Sequence, residues 1–76
     1  SRYRVAWLLV WLSENSPDEA FYLPGRADMG NMLALTSETV SRNISELRRD
    51  GDLELLSRDI ARVDVASLKR IVKDPV

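Results

Sequence analysis

The stretch Thr36-Ser37-Glu38-Thr39-Val40-Ser41-Arg42 gathers short hydroxyls, a carboxylate and a guanidinium in one helical pattern. These groups can exchange hydrogen bonds with nucleic-acid bases. Arg donates two bonds to guanine, Glu accepts from the amino group of cytosine, and small hydroxyls reach bases or phosphates. At ~100° per residue, Val40, Ile44 and Leu47 fall within about 60° of one another. Glu38, Arg42, Ser45 and Arg49 centre roughly opposite that apolar stripe, with Ser37, Ser41 and Arg48 at its flanks. Bases are met by the N-terminal half of a recognition helix, so Ser37, Glu38, Ser41 and Arg42 are the candidate readers. Thr36, Ser45, Arg48 and Arg49 are candidate phosphate contacts, joined by Arg58 further along. The same face also suits a solvated helix, with Glu38 and Arg42 at i,i+4 ion-pair spacing. Periodicity alone leaves both readings open.

Other chemistry is thinly supplied. The 76 residues contain no Cys and no His, which removes disulfides, thiolate nucleophiles, most zinc sites and histidine general-base catalysis. The three Gly are scattered, so no phosphate-cradling loop exists. Asp18-Glu19 lacks further ligands, and no metal is assigned to it. We therefore expect no catalytic residues, no metal and no cofactor in this chain, and no enzyme. The longest apolar run, Val5 to Leu12, falls far short of the ~18–20 residues of a membrane span. With no signal-peptide pattern at the start, the expected setting is the cytoplasm, away from membranes. A composition 45% hydrophobic and 30% charged is that of a globular domain with a thin core.

The elements that must hold these residues follow from local signals. Arg2 to Glu14 lacks Gly and Pro and carries Val5, Leu8, Leu9 and Leu12 at helical spacing. Asn15-Ser16-Pro17-Asp18 ends that helix, and Phe21-Tyr22-Leu23 before Pro24-Gly25 is expected as a brief strand. A short helix is expected over Asp28–Leu33, with Met29, Met32 and Leu33 inward and both Met as core fillers. Thr36 is a good N-cap for the next helix, and Leu35 with Val40 completes a hydrophobic staple. That helix should run to about Asp50, where Gly51 supplies a left-handed stop. Leu53–Leu56 and Ile60–Val63 flank Ser57-Arg58-Asp59 as a hairpin, and Asp64 caps a last helix with Val65, Leu68, Ile71 and Val72. The expected class is α+β, mostly helical: a winged helix-turn-helix with a three-helix core, a small β-hairpin wing and a C-terminal helix.

The run from Asp28 to Arg42 resembles the helix-turn-helix signature of the Crp/Fnr family of bacterial transcription regulators. There a D-[IM]-x-x-x-L-G-L-[ST] stretch leads into E-T-[VI]-S-R, then L-x-x-L and a Gly before the wing. The likeness extends to Arg4-Val5-Ala6, Leu9 and Leu12 upstream and to Asp64 and Leu68 downstream, covering nearly the whole chain. It implies a C-terminal DNA-binding domain, residues 1–76, of a homodimeric regulator. Its N-terminal effector β-barrel and dimerisation helix would precede residue 1, and the start on Ser1 directly into a helix fits that expectation. The resemblance further implies double-stranded DNA as partner and TTGA-type inverted repeats as sites. Glu38, Ser41 and Arg42 become the sequence readers, and RNA polymerase is an admissible further partner. The effector would bind in the missing region. Three positions depart from the pattern: Ala34 stands for the turn Gly, Gly25 for a capping Ser or Thr, and Arg62 for an apolar wing residue.

Charge argues the other way. Eleven Lys+Arg against twelve Asp+Glu give a net charge of −1, and the wing region is acidic. Phosphate neutralisation supplies most nonspecific affinity, so the domain alone should bind DNA weakly. A winged helix that binds protein and little or no DNA is the competing expectation. Trp7 and Trp11, one helical turn apart, either fill the small core or form a surface stripe for docking to an effector domain or dimer helix. Without a heptad seam, the chain alone is expected to be mainly monomeric.

Overall fold

The computed structural model describes residues 2–73. Along the chain come α1 (Arg2–Glu14), β1 (Phe21–Tyr22), α2 (Arg26–Leu33), α3 (Ser37–Arg49), β2 (Leu53–Leu55), β3 (Ile60–Val63) and α4 (Val65–Lys73). The class is α+β and mostly helical, a winged helix-turn-helix built on α2 and α3. Most boundaries agree with the local signals. Asp64 Oδ1 accepts from the Ser67 N–H at 3.2 Å, the cap expected for α4.

The hairpin is part of a three-stranded antiparallel sheet in the order β1-β3-β2. Phe21 and Tyr22 pair with Ala61 and Ile60, so the brief strand after α1 finds its partner in the wing. It ends at Tyr22, although the Leu23 N–H still donates to the Asp59 carbonyl at 2.7 Å. Register pairs Leu53 with Val63, Glu54 with Arg62 and Leu55 with Ala61. Alternation sends Leu53 and Ala61 into the core and Glu54 and Arg62 to solvent. Arg62 therefore needs no apolar replacement: its guanidinium donates to Glu54 across the strands and also faces Glu19. The hydrogen bond and charge of Glu54, followed by the charge of Glu19, push Arg62 above its ordinary pKa.

Helix α1 runs through the middle of the molecule. Val5, Ala6, Leu8, Leu9 and Val10 are all buried, a band too broad for contact on one side. It packs mainly against α4 and also meets α2, α3 and the sheet. Trp7 and Trp11 lie across the helix from Val5, Leu9 and Leu12, and stay 48% and 50% exposed. They are surface residues, not core, because aliphatic side chains already fill the interior.

The small helix α2 differs in two ways from its sequence signals. It begins at Arg26, ahead of Asp28, with Gly25 extended at φ −61° and offering no side-chain cap. Met32 is 57% exposed and is not a core filler, whereas Met29 is fully buried. The inner arc of α2 runs through Met29, Gly30 and Leu33, with Gly30 close against the backbone of Leu35 and Ser37, and Met32 falls outside it. The chain then turns sharply: Ala34 adopts φ 58°, ψ 42°, and the Leu35 N–H bonds to the Gly30 carbonyl at 2.8 Å.

Candidate nucleic-acid interface

Helix α3 is fixed at both ends and along one side. Thr36, at φ −75°, ψ 154°, accepts from the Thr39 N–H through Oγ1 at 3.1 Å, as an N-cap should. At the other end Gly51 takes φ 83°. Its N–H bonds to the Arg48 carbonyl at 3.1 Å, and the Asp52 N–H bonds to the Leu47 carbonyl at 2.9 Å. That pair of bonds is a Schellman stop. Val40, Ile44 and Leu47 are at most 1% exposed, and burial of each contributes roughly 1.5–3 kcal/mol. Glu38 in the first turn and Arg48 and Arg49 in the last complement the helix dipole.

The opposite face carries the candidate readers. Ser37, Glu38 and Arg42 are exposed and Ser41 is half-buried at the edge of the same face. Among the described residues, Glu38 and Arg42 make no ion pair with each other or with any neighbour. Their side chains stand at i,i+4 spacing without pairing, which leaves both free to meet an outside partner. Thr36, Ser45, Arg48 and Arg49 are exposed along the same helix. Ser45, Arg48 and Arg49 line a groove of about 640 Å³ whose other wall is Gly51 and the β2 residues Leu53–Leu55. Arg58 sits exposed at the tip between β2 and β3. Helix α3 and the wing thus bound one continuous surface.

Asn43 and the two α1 guanidiniums escaped notice in the sequence. Asn43 is 5% exposed, and its Nδ2 has no partner. Its spacing, three from Val40 and four from Leu47, was the available signal. Arg2 Nη2 donates to Asp50 Oδ2 at 2.6 Å, and Arg4 Nη1 to the Leu33 carbonyl at 3.1 Å. These bonds tie the first turn of α1 to the ends of α3 and α2. No local pattern announces contacts between residues so far apart in the chain. On the α1–α4 side, Trp7, Val10, Trp11 and Val72 line a groove of about 310 Å³, closed at one end by a 2.9 Å ion pair between Glu14 and Lys69. Among the described residues, no group of three or more Asp and Glu could hold a metal ion, and no helix is long and apolar enough to cross a membrane.

The model of the Crp-like helix-turn-helix domain matches residues 3–71. This chain belongs to that family. The Crp-like assignment makes it a DNA-binding domain of the transcription-regulator type. It is similar to the transcriptional regulatory protein Btr of Bordetella pertussis, 33% identical over an alignment of 78 positions that covers 95% of this chain and 32% of Btr. Among solved structures it resembles FixK2 from Bradyrhizobium japonicum, with a TM-score of 0.84, 30% identity, and coverage of 91% of this chain and 36% of FixK2. The catabolite activator protein of Thermus thermophilus matches with a TM-score of 0.80 and 25% identity over 99% of this chain and 35% of its own. The Crp-like domain thus spans about a third of the length of these relatives.

Proposed function

We propose that this domain is the DNA-reading part of a homodimeric bacterial transcription regulator, acting in the cytoplasm on a TTGA-type inverted repeat. One observation carries the reading: Glu38 and Arg42 stand unengaged on the exposed face of a helix whose other side is locked into the core. In the major groove Arg42 donates to a guanine, Glu38 accepts from a cytosine amino group or orients Arg42, and Ser37 and Ser41 make short contacts beside them. Thr36, Ser45, Arg48 and Arg49, with Arg58 from the wing, meet phosphates. Two copies lie one DNA turn, ~34 Å, apart. Residues 1–76 form one domain of a longer chain. The remainder supplies dimerisation and the effector site, and RNA polymerase is a further partner.

The test is a salt-dependent titration against a palindromic TTGA-type duplex and a scrambled one. The domain alone is expected to bind weakly at low salt, with preference for the palindrome and a log–log salt slope of about −0.9 for each phosphate contacted. Equal binding to both duplexes would remove the sequence-reading role. The near-neutral charge of −1 favours one rival, a winged helix that binds protein. Complete absence of DNA binding at low salt would remove the DNA-reading role and leave that rival standing.

Trp7 and Trp11 are the proposed docking residues for the rest of the longer protein. Two half-exposed indoles leave an apolar ridge of roughly 200 Å², smaller than the ~800 Å² per partner of a stable dimer of this domain by itself. Their fluorescence is expected to shift to the blue in the longer protein relative to the isolated chain. Identical spectra would show that nothing covers them.

A further inference from the structure

Asp50 is an acid where electrostatics disfavours one. It is the C-cap of α3, at the end where unpaired carbonyls already carry negative partial charge. It also follows Arg48 and Arg49 directly, in the turn proposed above to face phosphates. Left alone, its carboxylate would repel the same DNA that those guanidiniums attract. It is not left alone. Arg2, the first residue of α1, donates to Oδ2 at 2.6 Å, while Oδ1 lies 3.7 Å from Arg49 Nε. One carboxylate is thus shared between a cation of α1 and a cation of α3. The Arg2 and Asp50 side chains are each 41% exposed and that of Arg49 is 74% exposed, so the closer pair is also the better shielded.

We propose that Arg2 is a positioning residue for DNA binding, the counter-ion that keeps Asp50 to one long contact with Arg49 and so sets the charge that the end of α3 presents to a phosphate. The inference rests on the DNA-reading function above. With Arg2 in place, the nearer oxygen of Asp50 is engaged and Arg49 keeps its charge for an outside anion. Without Arg2, Arg49 is the nearest cation, and Asp50 pairs with it and cancels that charge. Arg2 touches no DNA in this scheme. Arg4 serves as the internal control, because Arg4→Ala removes a cation from the same turn of α1 without releasing a carboxylate.

The experiment is a double-mutant cycle in DNA binding, read at several salt concentrations on specific and scrambled duplexes. Arg2→Ala is expected to weaken both about two- to five-fold, the range of an exposed ion pair. It should also flatten the log–log salt slope by about 0.9, one phosphate contact. Arg2→Lys should restore most of the loss. Asp50→Asn should strengthen binding to both duplexes, and adding Arg2→Ala to Asp50→Asn should change nothing further. Arg4→Ala should leave the slope less affected than Arg2→Ala does. An equal loss from Arg2→Ala with and without Asp50 would overturn the proposal, since Arg2 would then act through its own charge or through folding. Failure of the unaltered chain to bind any duplex would instead refute the DNA-reading function itself.

Discussion

Arg42→Ala is expected to cost about 1–3 kcal/mol on the preferred duplex and much less on unrelated DNA, because a bidentate base contact is lost. Arg42 is exposed on α3 and makes no ion pair among the described residues, so its removal leaves no buried partner behind. Glu38→Ala should behave differently. It removes a carboxylate that repels phosphate, so nonspecific affinity rises while discrimination at one base pair relaxes. Arg49→Ala should weaken all sequences about equally and flatten the salt dependence. Folding survives each change, since Val40, Ile44 and Leu47 hold the helix from its other side. The comparison is made in the longer, dimeric protein proposed above, on consensus and single-base-variant duplexes. A uniform loss from Arg42→Ala, with base preferences intact, would make Arg42 a phosphate anchor and remove it from the readers.

The second large effect lies in the turn that aims α3. A Cβ on Gly30 would stand 2.5 Å from the Leu35 carbonyl oxygen and 3.4 Å from the Ser37 nitrogen. Both obstacles are backbone, so α2 and the start of α3 must separate to admit a methyl. Gly30→Ala is therefore expected to destabilise the domain by about 1–3 kcal/mol. That holds even though Ala is the better helix former by roughly 1 kcal/mol. In a domain of this size each lost kcal/mol lowers Tm by about 4–8 °C. A second change in the same turn has the opposite sign. Ala34 is held at φ 58°, and Ala34→Gly should gain up to about 1–2 kcal/mol by relieving the left-handed strain. Thermal unfolding of the two variants decides the matter. A Gly30→Ala domain as stable as the parent would mean that α2 and α3 have more freedom to move apart than their contact implies.

Local sequence was enough to specify α3 and much of its exposed face. Its N-cap, its left-handed stop and its period of 3.6 all act within a few residues, so Thr36, Gly51 and the Val40, Ile44, Leu47 stripe declare themselves without knowledge of the rest. The Asp28–Arg42 signature added the family, again from contiguous residues. Wing strands and the α4 cap were legible for the same reason.

Where the sequence fell short, the deciding contact joined distant segments. Nothing near Phe21 says that its strand pairs with Ala61. Met32 has the spacing of a core residue, yet it stays exposed because the buried arc of α2 faces the close approach of Gly30 to the turn. Trp7 and Trp11 are left uncovered because the broad inner band of α1 is filled by aliphatics and α4 lies to one side. The Arg2–Asp50 bond spans 48 residues, so the partner of the acid at the end of α3 comes from a remote part of the chain. Capping and periodicity are short-range and survive in the sequence. Which surfaces are covered, and which charges are already matched, depend on where tertiary packing brings remote elements together.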